Sequence, residues 1–312
     1  MKTKQSRREF LRLSATGALG AIVLTKSNLK ASGLYAPAKP ETDPKTFGIG
    51  LQLYTIRDAM KEDAPGSLKK VSDTGYKYIE LASYNEGKFY GYKPVEFKKM
   101  VNDLGMEILS SHAGVSPKGI TSDDAKRMAE DHAALGAKYC LQPWIEEVDR
   151  NSISGYQKMV GEWNKVGRIM KDTGVQFGYH NHNFEFDTVE GKIPYFDVFL
   201  KEMDKDLLTM ELDLFWTTKA GQNPVELFKK YPGRFQLFHM KDMFTKEKPF
   251  FKTETNDFAP VGEGIINFKE ILAERKLAGN KYLIVEQDSS KDGDQFGAIK
   301  KSITNLTTKI LV

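Results

Sequence analysis

The chain has 312 residues, of which 40% are hydrophobic and 28% are charged, and its formal net charge is +4 at pH 7. This is a globular composition, and the basic residues are scattered among acids, so nucleic acid is not indicated as a partner. The single cysteine, Cys140, excludes an internal disulfide and a cysteine-rich metal site. The length suits one (β/α)8 barrel of about 250 residues with an extension.

The beginning of the chain has the features of an export signal. Residues 6–12 are largely charged and contain the pair Arg7-Arg8, and residues 13–25 are small and apolar. This order is that of a secretory signal, and the arginine pair resembles the twin-arginine export signal. The apolar run is shorter than the roughly 20 residues of a membrane span, and an uncleaved membrane anchor is the alternative.

These features divide the chain into three parts. Residues 1–36 are predicted to be a twin-arginine-type signal peptide, residues 37–46 a linker and residues 47–312 the barrel. We therefore expect a periplasmic protein with no stable membrane span after signal cleavage. An exported enzyme meets few phosphorylated metabolites, so the expected partner is an unphosphorylated small molecule.

From residue 47 onward, short apolar runs alternate with longer amphipathic ones. The short runs contain β-branched and aromatic residues and are predicted to be strands. The eight predicted strands span residues 47–53, 78–81, 107–111, 139–142, 175–179, 207–212, 235–238 and 282–285. The predicted helices span residues 67–74, 95–104, 122–135, 153–173, 195–203, 224–230, 266–275 and 295–307.

Eight strand–helix units predict an α/β fold, a parallel sheet closed into a single (β/α)8 barrel. Several predicted helices end at a glycine, such as Gly75 and Gly136, as expected before a short turn into a strand. An open doubly wound sheet is the rival fold. The turn after the first strand, however, has none of the glycines of a Gly-x-Gly-x-x-Gly phosphate loop.

Polar residues follow the predicted strands, at the rim where the active site of such a barrel lies. Four of the five histidines fall there, and the fifth, His132, falls in a predicted helix. The rim histidines and the acids at the same level are His112, His180, His182, Asp213, His239 and Glu286. Because imidazole and carboxylate together suit Mn²⁺, Zn²⁺, Co²⁺ or Fe²⁺, one divalent ion of open identity is predicted at this rim.

The sequence leaves several roles at this rim open. His180 and His182 are two residues apart, so both side chains face the barrel axis if the strand continues to His182. If the strand ends earlier, one of the two is expected to contact the metal ligands rather than the metal. His112 suits substrate orientation as well as metal ligation, and tryptophans can stack on a sugar face. The predicted substrate-binding residues are Glu80, His112, Gln142, Trp144 and Trp216.

Segments on and after strands six to eight resemble motifs of the xylose isomerase-like superfamily of metal-dependent barrels. That superfamily contains sugar isomerases, epimerases, inosose dehydratases and an endonuclease branch. The segments are Glu211-Leu212-Asp213, Phe238-His239-Met240-Lys241-Asp242, Gly262-Glu263-Gly264-Ile265-Ile266 and Val285-Glu286-Gln287-Asp288. The likeness extends from about residue 47 to the C-terminus.

The resemblance implies that Asp213, His239 and Glu286 bind the metal. The family's carboxylate on strand five has no counterpart here, so His182 is predicted to be the fourth ligand, with His180 and Glu185 as the alternatives. Trp216 stands where the epimerases have a sugar-binding histidine. Both departures argue against a plain ketose 3-epimerase.

The resemblance also implies proton abstraction next to the carbonyl of a sugar, through an enediolate, by an isomerase or epimerase. The candidate bases are Glu286, Glu185 and His180, and Lys241 is the candidate for stabilising the enolate oxygen. The alternative is a lyase or hydratase that eliminates a β-substituent from 3-keto-glycosides or inosose-like substrates. A non-catalytic sugar-binding barrel and a DNA endonuclease are alternatives of other classes, and the export signal opposes the endonuclease. The sequence leaves a homo-oligomer open.

Overall fold

The computed structural model describes residues 48–115, 119–150, 152–189, 193–245, 251–253 and 255–312. The predicted signal peptide and linker, and Phe47, lie outside the described residues. Within the described ranges, no helix has both the length and the apolar character that a membrane span needs.

Eight parallel strands close into a barrel, as the sequence predicted. They are β1 (Gly48–Gln52), β2 (Tyr78–Leu81), β3 (Glu107–His112), β4 (Tyr139–Gln142), β5 (Gln176–His180), β6 (Leu208–Asp213), β7 (Phe235–Met240) and β8 (Tyr282–Val285). Each strand pairs with its neighbours in the chain, and β8 pairs with β1. All eight carboxyl ends therefore meet at one rim.

The described helices connect these strands on the outside of the barrel. They are α1 (Arg57–Glu62), α2 (Ala64–Thr74), α3 (Pro94–Asp103), α4 (Ser122–Leu135), α5 (Ile153–Asp172), α6 (Tyr195–Glu202), α7 (Leu214–Lys219), α8 (Pro224–Lys230), α9 (Phe268–Ala273), α10 (Arg275–Ala278) and α11 (Gln295–Asn305). The predicted helix over residues 266–275 was wrong in extent, because helical structure begins at Phe268 and is interrupted at Glu274, between α9 and α10.

Alternating side-chain direction along β5 separates the packing surface from the site. Tyr179 points outward, where its ring stacks on Trp163 of α5 at a centroid distance of 4.8 Å. Both rings are buried, which ties the strand to its helix. The flanking residues Gly178 and His180 have the opposite parity and face the barrel interior.

The barrel interior changes from apolar to polar toward the rim. Leu141, Leu237 and Ile284 belong to a small apolar cluster that is separate from the main core between the barrel and the helices. Two residues farther along β7 and just after β8, the same inward parity gives His239 and Glu286. The apolar side chains are thus packed directly below the polar ones inside the barrel.

The Asp242 carboxylate anchors the long segment that follows β7. It accepts hydrogen bonds from the backbone N–H groups of Met243, Gly262, Gly264 and Ile266 at 2.8–3.1 Å. A Cβ at Gly264 would lie 2.2 Å from the Met243 carbonyl oxygen, so glycine is required by this close approach. The Gly-Glu-Gly motif therefore has a structural role next to the rim.

Gly178 provides a test of the packing that orients β5. A Cβ there would lie 2.5 Å from the Thr209 carbonyl oxygen and 2.8 Å from Leu141 Cδ2, so Gly178→Ala overpacks the barrel. We expect it to lower the free energy of unfolding by about 1–3 kcal/mol, measured from urea denaturation curves. In Gly161→Ala, on the open face of α5, the Cβ meets no atom within 4 Å, and this control should gain up to about 1 kcal/mol. Equal stability of the two variants would contradict this packing account.

Candidate functional site

A lower layer of the site lies inside the barrel and contains two fully buried carboxylates, Glu80 and Glu211. Glu211 Oε2 lies 2.9 Å from His112 Nε2, 3.1 Å from His180 Nδ1 and 3.0 Å from His239 Nε2. Glu80 Oε1 lies 2.7 Å from His239 Nε2 and 3.1 Å from His112 Nε2. One oxygen of each carboxylate thus receives these contacts, and the other accepts no hydrogen bond from the described residues.

An upper layer, closer to the rim, contains Asp213 and Glu286. Asp213 Oδ2 lies 3.9 Å from His180 Nε2 and 3.8 Å from His239 Nδ1. Glu286 Oε2 lies 3.0 Å from His239 Nδ1. His180, Asp213, His239 and Glu286 each offer one possible ligand atom, and these four atoms lie within 4.8 Å of one another. The two imidazole rings therefore stand between the layers, with one nitrogen facing each.

Lys241 is the ammonium group of the upper layer. Its Nζ lies 2.6 Å from Glu286 Oε2, 3.3 Å from Asp213 Oδ2 and 3.1 Å from Asp288 Oδ1. It also lies 5.5 Å from the centre of the Trp216 ring, within the range of a cation–π contact. Lys241 is thus held by three carboxylates and two aromatic rings, the second being Phe258 at 5.7 Å.

Burial and charge shift the acid–base properties of both layers. Burial raises the pKa of Asp213 to about 6, although the positive charge of Lys241 works against this. Burial opposes protonation of His112, but Glu80 and Glu211 outweigh it and raise its pKa to about 9. The buried carboxylates therefore stabilise the protonated form of a neighbouring imidazole.

The residues present fit a divalent cation. The two layers contain four buried carboxylates, Glu80, Glu211, Asp213 and Glu286, and one ammonium group, Lys241. Asp213 Oδ2 accepts no hydrogen bond from the described residues. The convergent atoms of the upper layer, two imidazole nitrogens and two carboxylate oxygens, form a donor set that suits Zn²⁺, Mn²⁺, Co²⁺ or Fe²⁺. The cluster is compatible with the divalent metal that the sequence predicted.

His182 lies outside both groups of convergent ligand atoms found in the described chain. It follows the end of β5, and its ring stacks on Phe184 and meets Trp144 edge-on, at centroid distances of 5.6 and 4.8 Å. Its Nδ1 has no hydrogen-bond partner among the described residues. The ligand role predicted for His182 stays a prediction, and the convergent atoms favour the alternative, His180.

Glu185, a predicted base, supports the turn after β5. Its carboxylate accepts a hydrogen bond from the Tyr179 hydroxyl, and both its oxygens lie 3.0 Å from the His182 backbone nitrogen. Burial raises the pKa of Glu185 to about 7, against these hydrogen bonds. Its contacts fix the backbone that carries His182, and its catalytic role stays a prediction.

Gln142 and Glu80, which were predicted to bind substrate, are engaged elsewhere. Gln142 has the outward parity on β4, and its side chain accepts from Val115 N and donates to the Trp144 carbonyl at 2.5 and 2.6 Å. Glu80 belongs to the lower layer, where it also accepts a hydrogen bond from Gln52. Neither is among the described residues that line the cavity above the site.

That cavity has a volume of about 430 Å³ and opens above the upper layer. The sequence-predicted residues that line it are His112, Trp144, His180, His182, Trp216, Lys241 and Glu286. Tyr54, Thr253 and Asp288 also line it. Tyr54 and Asp288 follow strand ends, a signal that could have assigned them to the pocket, whereas Thr253 lies in a long loop with no such signal.

The sequence profile of the family described as xylose isomerase-like TIM barrel matches residues 68–308. The chain belongs to this family. An inosose dehydratase of Geobacillus kaustophilus is 24% identical over 250 residues, which are 71% of this chain and 79% of that protein.

Solved structures show the same fold. A sugar phosphate isomerase/epimerase of Parabacteroides distasonis is 30% identical with a TM-score of 0.72, and the match covers 89% of this chain and 100% of that one. The IOLI protein, solved with a bound zinc atom, is 17% identical with a TM-score of 0.66, over 84% of this chain and 99% of that one. These proteins and this chain therefore share the barrel architecture.

Removing one upper-layer ligand should weaken metal binding until the ion is lost on dialysis. We expect Asp213→Ala and His239→Ala to be purified without the metal, because each leaves only three of the four convergent ligands. The measurement is metal content by mass spectrometry after purification and dialysis. Asp103→Ala, which removes an exposed ion pair with Lys99, is the control that should keep its metal. Full metal content in either site variant would contradict the ligand assignment.

Proposed function

We propose that this protein is a divalent-metal-dependent sugar-processing enzyme that abstracts a proton next to the carbonyl of an unphosphorylated keto-sugar, through an enediolate. The observation that carries this proposal is the convergence of His180, Asp213, His239 and Glu286 at the floor of an aromatic-lined cavity. When bound there, a divalent ion acts as a Lewis acid that polarises the carbonyl and stabilises developing negative charge. The sugar-processing relatives in the family support an enzyme of this class.

His182 is the side chain that we assign as the base. It lines the cavity beside His180, at a ring-centroid distance of 5.0 Å, and its side chain is partly exposed there. Its ring is fixed against Phe184, and its backbone is held by Glu185. A base in this position takes the proton from a carbon held above the upper layer.

Lys241 completes the arrangement on the other side of the cavity. Its Nζ lies among Asp213, Glu286 and Asp288, so the ammonium group is kept charged and oriented. In this position it donates a hydrogen bond to the oxygen on which negative charge develops.

The fate of the enediolate decides the reaction class. Reprotonation gives an isomer or epimer, and loss of a β-substituent gives a lyase or hydratase. The similarity to an inosose dehydratase supports the second outcome, with 3-keto-glycosides or inosose-like compounds as substrates. Both outcomes begin with the same proton abstraction.

Solvent-deuterium exchange tests the proposal. On a panel of unphosphorylated keto-sugars and 3-keto-glycosides in D2O, the wild-type protein should exchange the α-proton, as followed by NMR. His182→Gln should keep the metal and lose about 100-fold or more in exchange rate, as expected for a lost base. His132→Gln, in α4 and away from the cavity, is the control that should keep both.

Two results would overturn parts of this proposal. Sugar binding without exchange across the panel would make the protein a sugar-binding barrel. Loss of metal from a folded His182→Gln protein would make this residue a ligand, as the sequence predicted, and would remove it as the base.

The charge of the cavity predicts selection against phosphorylated sugars. Lys241 is the one ammonium or guanidinium group among the described lining residues, and three carboxylates already pair with it. Like-charge contacts in an enclosed site cost several kcal/mol, so kcat/KM for a phosphorylated sugar should be lower by about tenfold or more than for its unphosphorylated counterpart. Equal values, measured under the same conditions, would contradict this reading of the cavity.

We also propose that the protein is exported to the periplasm by the twin-arginine pathway. The double variant Arg7→Lys, Arg8→Lys keeps the charge and should retain the protein in the cytoplasm of a bacterium with this pathway. Cell fractionation measures the distribution, and Lys2→Arg is the charge-preserving control outside the pair. An unchanged periplasmic fraction in the double variant would contradict this route.

A further inference from the structure

The two imidazoles between the layers differ in which nitrogen faces the metal ligands. His180 directs Nε2 toward Asp213, whereas His239 directs Nδ1 toward Asp213 and Glu286. A neutral imidazole carries hydrogen on one nitrogen and a lone pair on the other, and only the lone pair can bind a metal. The two rings must therefore be held as opposite tautomers for both to act as ligands.

We propose that Glu211 and Glu80 are positioning residues that fix these tautomers and so set the affinity of the upper layer for its metal. The inference rests on the proposed function of that layer. It concerns residues that lie beneath the cavity and outside its described lining.

For His180, the lower layer determines the tautomer. Its Nδ1 lies 3.1 Å from Glu211 Oε2, and an ionised carboxylate can only accept a hydrogen bond. The hydrogen is therefore on Nδ1, and the lone pair of Nε2 faces the upper layer. Both side chains are buried, so water does not compete for this contact.

His239 has the opposite orientation, and both of its nitrogens lie next to carboxylates. Its Nε2 lies 2.7 Å from Glu80 Oε1 and 3.0 Å from Glu211 Oε2, and its Nδ1 lies 3.0 Å from Glu286 Oε2. A cation bound by Asp213 and Glu286 would displace the hydrogen of Nδ1, and the two lower carboxylates would keep the hydrogen on Nε2. Carboxylates placed behind histidine ligands in this way fix the ring and raise its basicity toward the metal.

Glu211 also adds negative charge next to the metal ligands. The upper layer offers two carboxylates as ligands, Asp213 and Glu286, together with two imidazoles. Glu211, two residues before Asp213 on β6, brings a third negative charge to within hydrogen-bond distance of the neutral ligand His180. His112 Nε2 lies between Glu211 and Glu80 and allows both carboxylates to remain buried side by side.

The lower layer could instead be read as a second metal site, because atoms of His112, His180, Glu211 and His239 also lie within 4.8 Å of one another. That reading requires His180 and His239 to bind one ion through each nitrogen. A neutral imidazole has a single nitrogen lone pair to give, so the positioning role fits the rings better. Metal stoichiometry separates the two readings.

The test is a Zn²⁺ titration of the metal-free protein by calorimetry, with each variant checked for folding by circular dichroism. Wild type should bind one Zn²⁺ per chain. Glu211→Gln and Glu80→Gln should each bind one Zn²⁺ with an affinity lower by about 10–100-fold. Thr209→Val is the matched control, since its buried hydroxyl on β6 has no hydrogen-bond partner among the described residues, and it should bind as wild type does.

A double-mutant cycle shows whether Glu211 acts through its histidine partner. In the His180→Ala background, Glu211→Gln should cost less than about fivefold in affinity, because one of the two ligand rings that it contacts is gone and Glu80 still holds the other, His239. A loss as large as that in the wild-type background would overturn the assignment. Should Glu211→Gln not fold, the same cycle with Glu80→Gln and His239→Ala decides the matter.

The remaining outcomes are also decisive. Unchanged Zn²⁺ affinity in folded Glu211→Gln and Glu80→Gln would overturn this inference and leave the proposed function standing. Two Zn²⁺ per wild-type chain, with one lost in these variants, would overturn it in favour of a second metal site. A wild-type protein that binds no divalent metal would overturn the proposed function and this inference together.

Discussion

Buried negative charge at one end of the barrel is the constraint on which the rest of the site depends. Glu80, Glu211, Asp213 and Glu286 are all buried, and Lys241 is the ammonium group enclosed with them. Each unpaired charge in such a place costs several kcal/mol, so partners must be supplied in fixed positions. The imidazole rings and Lys241 supply these partners, and a bound cation would supply another.

The closed barrel makes this concentration of charge attainable. Glu80 and His239 are 159 residues apart in the chain, but Glu80 Oε1 lies 2.7 Å from His239 Nε2, because β2 and β7 end at the same rim. Inward parity along the strands stacks the polar layers above the apolar cluster inside the barrel. The outward residues pack the helices, as Tyr179 does on Trp163, and hold the strands in place. The cavity and its chemistry are thus carried by a rigid frame.

Much of this arrangement could be predicted from the sequence, because strand ends and histidines are local features. The eight strands and the rim positions of His112, His180 and His239 follow from apolar runs and their polar ends. The choice between His180 and His182 could not be made, because it depends on where β5 ends. The support given by Glu185 was equally hidden, since it arises from a hydrogen bond to the turn rather than from a pattern. The depth of Glu80 could not be predicted, because it is set by the register of β2 with β1 and β3.

A metal ion bound in the upper layer would link the buried charges to the proposed reaction. Anomalous diffraction from crystals grown with Zn²⁺ or Mn²⁺ tests this claim most directly. We predict a single peak within about 2.0–2.3 Å of His180 Nε2, His239 Nδ1 and one oxygen each of Asp213 and Glu286. A peak in the lower layer between His112 and Glu211, with none in the upper layer, would contradict the account.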